Sequence, residues 1–339
     1  MSTESPENGA ARLFGLSINE DSTLFTTGKI QSSVRLDTRE GSFVLQEINQ
    51  DIFYDVRSVA ANARSVITAM AEANLPRLEI RPARDGSLLA HDDGRVWRCY
   101  KFVAGDTPAA ITTSEEAQVT ARAFGRYDAA IAHLKLSEHI IGYHDFDSRV
   151  GSFEKAVHAN EAGRAGAADA TIADAFQLID RLRLSGAYDA WKAAPIRNVH
   201  NDAKGPNCVV GPDGSRTIID LDTTMPGFLL ADVGELVRSC TRALIRPAFA
   251  DVMAQIEAVN RGFLAGYGSE LSRAERAAIL LAGPLMTAEN GVRFLGDHLR
   301  GDVYYGAAWP NQNLERAIEM FALAQFQIAA IEDAGMQAT

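Results

Sequence analysis

Apolar and polar residues alternate over Ser33–Asp37 and Ser42–Ile48, the period-two pattern of half-buried strands, and Ser22–Thr27 reads as a further strand before the turn at Gly28. Between residues 55 and 73 the period lengthens. Val56, Val59, Val66, Ile67 and Met70 fall at helical spacing and predict one amphipathic helix. Leu75–Ile80 and Val96–Phe102 alternate again, separated by a turn-rich stretch from Arg84 to Gly94. Gly105-Asp106-Thr107-Pro108 then punctuates the chain. Beyond it the pattern is mostly helical. Ser114, read as an N-cap with an acidic first turn, opens a helix to about Leu134. Ala- and Leu-rich periods cover 247–267, 273–298 and 310–333, while the Ala/Gly run Ala162–Ala170 predicts a connector or weak helix. The expected organisation is α+β: a small β-rich unit over 1–105, with about 1–12 disordered, and a larger helical unit over 106–339.

One stretch breaks the helical pattern. Asn198-Val199 reads as the end of an extended segment entering a loop at Gly205-Pro206. Cys208-Val209-Val210 and Thr217-Ile218-Ile219 read as strands joined by the turn Pro212-Asp213-Gly214. Such a hairpin brings Asn207 and Asp220, 13 residues apart, to adjacent strand ends. The residues at those ends suit phosphoryl transfer from ATP to a hydroxyl. Asp202 can accept the hydroxyl proton, and Asn207 and Asp220 are hard oxygen ligands for Mg²⁺. Lys204 can reach a transferring phosphate as a flexible point charge. The five-residue separation of Asp202 and Asn207 is that of the kinase catalytic loop. A β unit, a hinge and a helical unit holding such a loop make a two-lobed, protein-kinase-like layout.

The nucleotide side is less marked. Gly28–Ser33 sits where a phosphate-covering turn belongs, with Ser32 and Ser33 hydroxyls at hand, although an ordinary hairpin explains one glycine equally well. No G-x-x-x-x-G-K-[ST] loop occurs. Gln46 occupies the strand position of the usual phosphate-pairing lysine, so Lys29, Lys101 or Lys204 has to supply the charge, or Gln46 acts as a neutral donor. Backbone groups from Lys101 through Val103 to Ala104 are placed to read the adenine edge. Asp222 and Thr223 can hydrogen-bond an acceptor's hydroxyls, though Asp222 could equally cap the following turn. Arg293, on an apolar helix, needs a partner: either Glu289 one turn away or a substrate oxygen.

Bulk properties narrow the partners. The 339 residues carry a net charge of −11 with no Lys/Arg block, which argues against nucleic acid or an anionic membrane surface. Cys99, Cys208 and Cys240 form no C-x-x-C pair, so reduced thiols in a cytoplasmic protein are expected and zinc is not. Met1–Ala11 lacks the basic-then-apolar pattern of a signal peptide, and the apolar window Ala277–Met286 is too short to span a bilayer. A soluble cytoplasmic protein is expected.

His200-Asn201-Asp202 through Asn207, with Ile219-Asp220-Leu221-Asp222, resembles the aminoglycoside phosphotransferase and choline kinase superfamily. More narrowly, the chain is similar to the N-acetylhexosamine 1-kinases in Val44–Asn49, His200–Lys204, Ile219–Gly227, Gly291–Leu295, Gly301–Tyr305 and Asn313-Leu314. That resemblance implies a kinase fold, Mg²⁺-ATP, and phosphorylation of the anomeric hydroxyl of N-acetylglucosamine or N-acetylgalactosamine. It also implies Asp202 as base, Asn207 and Asp220 as metal ligands, and Asp222 and Arg293 as sugar contacts. Two alternatives stay open: another acceptor (a different sugar, choline, an amino alcohol or an aminoglycoside) or a non-catalytic pseudokinase, to which the neutral Gln46 points.

Overall fold

A computed structural model of the chain describes residues 6–16, 23–25 and 33–336. They fall into two compact units. The first comprises Met1–Thr107, His133–Ile140 and Cys208–Met225; the second Pro108–Ala132, Ile141–Asn207 and Pro226–Thr339.

The first unit is built on a five-stranded sheet of β1 (Thr23–Phe25), β2 (Ser33–Thr38), β3 (Gly41–Glu47), β4 (Ala90–Asp92) and β5 (Arg95–Lys101), in the order β1-β2-β3-β5-β4. The alternation seen in the sequence sorts its two faces. Val34, Leu36, Phe43, Leu45, Trp97 and Cys99 share one apolar core. Register pairs Ser33 with Gln46 and Gln46 with Arg98, so these three side chains share the opposite face. Helix α1 (Pro6–Leu13) covers the core face, since Ala10, Ala11 and Phe14 are buried there. Part of the segment expected to be disordered is therefore helical, because these small and apolar residues find a core the local sequence does not reveal.

Helix α2 (Val56–Glu72) starts where Asp55 accepts a bond from the Ser58 N–H, as N-cap carboxylates do. Leu75–Ile80 is not a strand. Pro76 lacks a donor, and the segment touches β5 only at its end, through the Ile80–Tyr100 bridge. The hairpin of β7 (Cys208–Val210) and β8 (Arg216–Ile218) forms as expected, pairing Cys208 with Ile218.

The second unit is helical. Helix α3 (Ser114–Ile131) is capped by Thr113, one residue earlier than the sequence suggests, because the Thr113 hydroxyl accepts from the Glu116 N–H. It packs closely on α8 (Phe249–Tyr267): a Cβ on Gly262 would lie 2.0 Å from the Gln118 carbonyl oxygen. The 273–298 period divides into α9 (Arg273–Ala278) and α10 (Ala282–Arg300), with Pro284 in the first turn of α10, where its missing donor costs nothing. Helices α4 (Phe146–Ala159), α7 (Leu229–Arg242) and α11 (Gln312–Asp333) surround α10. The Ala/Gly run becomes a single 3-10 turn, Ala165–Ala168, leading into α5 (Asp169–Arg183); α6 (Gly186–Lys192) follows. Strand β6 (Ile196–Val199) pairs with β9 (Met225–Phe228) and carries the chain to His200. No described helix is long and apolar enough to cross a membrane.

Candidate active site

In the second unit the loop after β6 is held from beneath. Its backbone turns at Asn201, whose φ of 63° is left-handed, a region that asparagine tolerates. The His200 N–H donates to Asp232 Oδ2 at 2.7 Å, and the His200 imidazole receives the Asp202 N–H at 3.3 Å. Asp232 lies in the first turn of α7 and Asp128 on α3, both fully buried. Among the described residues no donor meets Asp128 Oδ1 or Oδ2 or Asp232 Oδ1, and the two buried carboxyls act on each other. Two buried carboxylates can share a bond only if one keeps its proton. Burial raises the pKa of both carboxyls; the Asp232 charge adds to the rise at Asp128, whereas His200 opposes it at Asp232, so the proton belongs to Asp128.

His144 braces the same loop from the other side. Its Nδ1 meets Glu289 Oε1 and its Nε2 the Asn201 carbonyl oxygen, each at 2.8 Å. Acceptors at both ring nitrogens require an imidazolium. Burial opposes that charge, but the Glu289 carboxylate outweighs it and the His144 pKa is raised.

On this support sit Asp202, Lys204 and Asn207, which the structure brings together. Lys204 Nζ reaches Asp202 Oδ2 at 2.6 Å, and the pair is 32% and 24% exposed. Asn207 Nδ2 donates to Asp202 Oδ2 and to the Asp202 carbonyl oxygen, both at 2.9 Å. Burial pushes the Asp202 carboxyl up, but the Lys204 charge and these hydrogen bonds outweigh it and hold it below the usual carboxylate range. The Asn207 amide nitrogen is thereby committed to Asp202, leaving its oxygen as the end that can meet a cation.

Arg293, also in this unit, is 14% exposed. Its guanidinium lies over the rings of Tyr143 and Tyr305, 5.3 and 5.9 Å from their centroids. Its contact with Glu289 is long, 3.7 Å, and Glu289 Oε1 is engaged more closely by His144. Arg293 donates no hydrogen bond to the described residues. Tyr143 feels the charges of both Arg293 and Asp202, so the three form one neighbourhood.

The remaining predicted residues belong to the first unit. Gln46 Nε2 donates to Ser33 Oγ at 3.0 Å, and Gln46 Oε1 accepts from Arg98 Nε at 3.2 Å. The Arg98 guanidinium forks onto both oxygens of Asp222, with NH2–Oδ2 at 2.8 Å; this pair is 5% and 2% exposed. Asp222 sits with Thr223 in a buried 3-10 turn that follows Asp220, itself exposed and left-handed at φ 60°. Lys101 is 62% exposed beside Glu79. Val103 lies half-buried in the extended segment after β5, and its peptide groups bond no other described residue. Ser32 and Lys29 lie outside the described residues.

The sequence reading missed Arg98, Asp128, His144 and Asp232 as members of these clusters, and named Glu289 as a partner of Arg293 but not of His144. A signal existed for two of them. Arg98 is a lone charge inside Val96–Tyr100, and Asp232 a lone acid inside Leu229–Val233. Asp128 on α3 and His144 in the turn before α4 become distinctive only when distant segments of the chain meet.

The chain resembles solved structures over nearly its whole length. A spectinomycin phosphotransferase aligns with a TM-score of 0.62 at 13% identity, covering 97% of this chain and 99% of that one. A microcompartment-associated aminopropanol kinase aligns at 0.62 and 17%, covering 95% and 96%. A choline kinase from Cryptosporidium parvum Iowa II aligns at 0.56 and 13%, covering 94% and 92%. At these identities the likeness establishes the kinase-like fold expected from the sequence. Membership is carried by the sequence itself: residues 22–277 match the phosphotransferase enzyme family APH, and the chain belongs to that family.

Proposed function

We propose that this ATP-dependent phosphotransferase transfers the terminal phosphoryl group of Mg²⁺-ATP to the anomeric hydroxyl of an N-acetylhexosamine, giving the sugar 1-phosphate. Asp202 orients the hydroxyl and takes its proton, and the Lys204 charge and the Asn207 hydrogen bond keep its carboxylate ionised for that role. Lys204, on the same carboxylate, offsets charge on the phosphoryl group. Asn207 and Asp220, flanking the β7–β8 hairpin along the chain, supply the oxygens that Mg²⁺ prefers. The fixed orientation of the Asn207 amide fits that assignment. When bound, the metal neutralises charge on the phosphates. Ser32, Ser33 and Gln46 belong to the phosphate side, Lys101 and Val103 to the adenine-reading segment, and Thr223 to the acceptor's hydroxyls; both oxygens of Asp222 are taken by Arg98, so Asp222 serves to hold that segment.

The observation that carries the acceptor class is Arg293. A guanidinium that is largely buried yet donates no hydrogen bond to the described residues offers donors to an oxygen-rich ligand. It also covers the tyrosine faces that a quaternary or primary ammonium would seek, and its own charge repels such a ligand. A neutral polyhydroxyl acceptor with an acetamido carbonyl suits these groups; choline and polycationic aminoglycosides do not.

Incubation with Mg²⁺-ATP and a panel of acceptors, read by ADP release and phosphorus NMR, tests this. A 1-phosphate doublet with N-acetylglucosamine or N-acetylgalactosamine is expected. Preferential phosphorylation of choline or an aminoglycoside would refute the sugar assignment. Arg293→Met should raise the acceptor KM by about tenfold or more, one lost charged hydrogen bond, while leaving the ATP KM unchanged.

A further inference from the structure

A kinase needs positive charge on the phosphate side of its nucleotide-binding sheet, and at the expected strand position this chain has the neutral Gln46. Two lysines that could supply it are placed elsewhere. Lys101 pairs with Phe43 in register, so it shares the core-facing side of the sheet with Phe43 and Cys99, opposite to Gln46, and its ammonium lies in solvent beside Glu79. Lys204 lies in the second unit, where it stands beside Asp202 for the transferring phosphoryl group. Arg98, by contrast, stands directly across from Gln46 on the same face and bonds it.

We propose that Arg98 is the cation of the nucleotide side, and that Arg98 and Asp222 act as one positioning pair governing how tightly the enzyme holds Mg²⁺-ATP. This deepens the kinase reading above and rests on it. The pair ends a continuous chain of hydrogen bonds, Ser33–Gln46–Arg98–Asp222, linking the phosphate-side strands to the segment that carries Asp220. Asp220 contributes to the field at Arg98 and at its neighbour Tyr100. The far end of the chain is fixed independently. His139 Nε2 meets the Asp222 carbonyl oxygen at 2.6 Å, and Asn62 Nδ2 donates to the Thr224 carbonyl at 3.0 Å and the Ser137 carbonyl at 2.8 Å. Withdrawing two charges from water is costly, so a plain strut would be served as well by two apolar side chains. What apolar residues cannot supply is an oriented guanidinium–carboxylate pair whose positive end is fixed across from Gln46. A planar guanidinium forked on a carboxylate holds that charge in one orientation.

The experiment measures Mg²⁺-ATP binding to the full chain by titration calorimetry without acceptor, alongside thermal melting. Arg98→Met combined with Asp222→Leu removes the pair as a unit. It should melt within about 3 °C of the parent, as apolar replacements of buried pairs do, yet bind Mg²⁺-ATP at least about tenfold more weakly for want of the guanidinium fixed across from Gln46. Binding within about twofold of the parent overturns the proposal. Should the double variant not fold, Arg98→Lys and Arg98→Gln separate charge from packing. Lysine should keep the dissociation constant within about threefold and glutamine should lose about tenfold, although both forfeit the fork and melt lower. Affinities that track melting temperature and ignore charge overturn it equally. Failure of the parent itself to bind Mg²⁺-ATP would instead sink the kinase reading beneath it.

Discussion

Replacing Asp202 with Asn isolates the proposed chemistry, because the structure shows how little else changes. The substituted side chain keeps its shape and one acceptor oxygen, which can still receive Lys204 Nζ and Asn207 Nδ2, now 2.6 and 2.9 Å from Oδ2. What disappears is the negative charge that pairs with Lys204 and the basic oxygen that accepts the hydroxyl proton. The pair is about a quarter to a third exposed, so its contribution to stability is screened and of order 1 kcal/mol or less. For a chain this long that corresponds to a melting shift of no more than about 3 °C. The catalytic loss is far larger. General-base catalysis contributes roughly 10²–10⁴ in rate, about 2.7–5.4 kcal/mol of barrier. ADP release at saturating Mg²⁺-ATP and acceptor should therefore fall at least a hundredfold, with nucleotide affinity and melting close to the parent. Turnover within tenfold of the parent, in a variant shown to be folded, would remove Asp202 as the base.

Further perturbations test the support beneath it. Asp128→Asn should cost no more than about 1 kcal/mol in denaturant unfolding, because a protonated carboxyl and an amide offer Asp232 the same donor; a loss above 3 kcal/mol would show that the aspartate is ionised. The His144 pKa is raised by Glu289, so its share of stability is complete below the unfolded histidine pKa of about 6.5 and is lost as pH rises through the folded value. His144→Gln should flatten that decline in unfolding curves taken across the pH range, and an unchanged decline would place its cause elsewhere. Gly262→Ala gains roughly 1 kcal/mol of helix propensity but drives a methyl group to 2.0 Å from the Gln118 carbonyl oxygen. The clash should dominate, with a net loss of about 1–3 kcal/mol in denaturant unfolding; a stabilised variant would contradict the close α3–α8 packing.

Much of this protein was legible in the chain itself. Strands β2, β3 and β5, helices α2 and α3 and the β7–β8 hairpin follow from local periodicity and turn chemistry, which act over a few residues and need no partner. The Asp202–Asn207 spacing is equally local: one short loop carries Lys204 and Asn207 to the same carboxylate. Where local signals conflicted with long-range contacts, the contacts won. Helix α1 forms because Ala10, Ala11 and Phe14 reach a core made by distant strands. The failure of Leu75–Ile80 as a strand has a local cause instead, since Pro76 cannot donate to a ladder. What only tertiary structure decided is the partnership of buried charges. Arg98 with Asp222, His144 with Glu289 and Asp128 with Asp232 join residues more than a hundred positions apart. A charge costs too much to bury alone, so its position in the chain tells little until folding reveals which opposite charge, or which proton, compensates it.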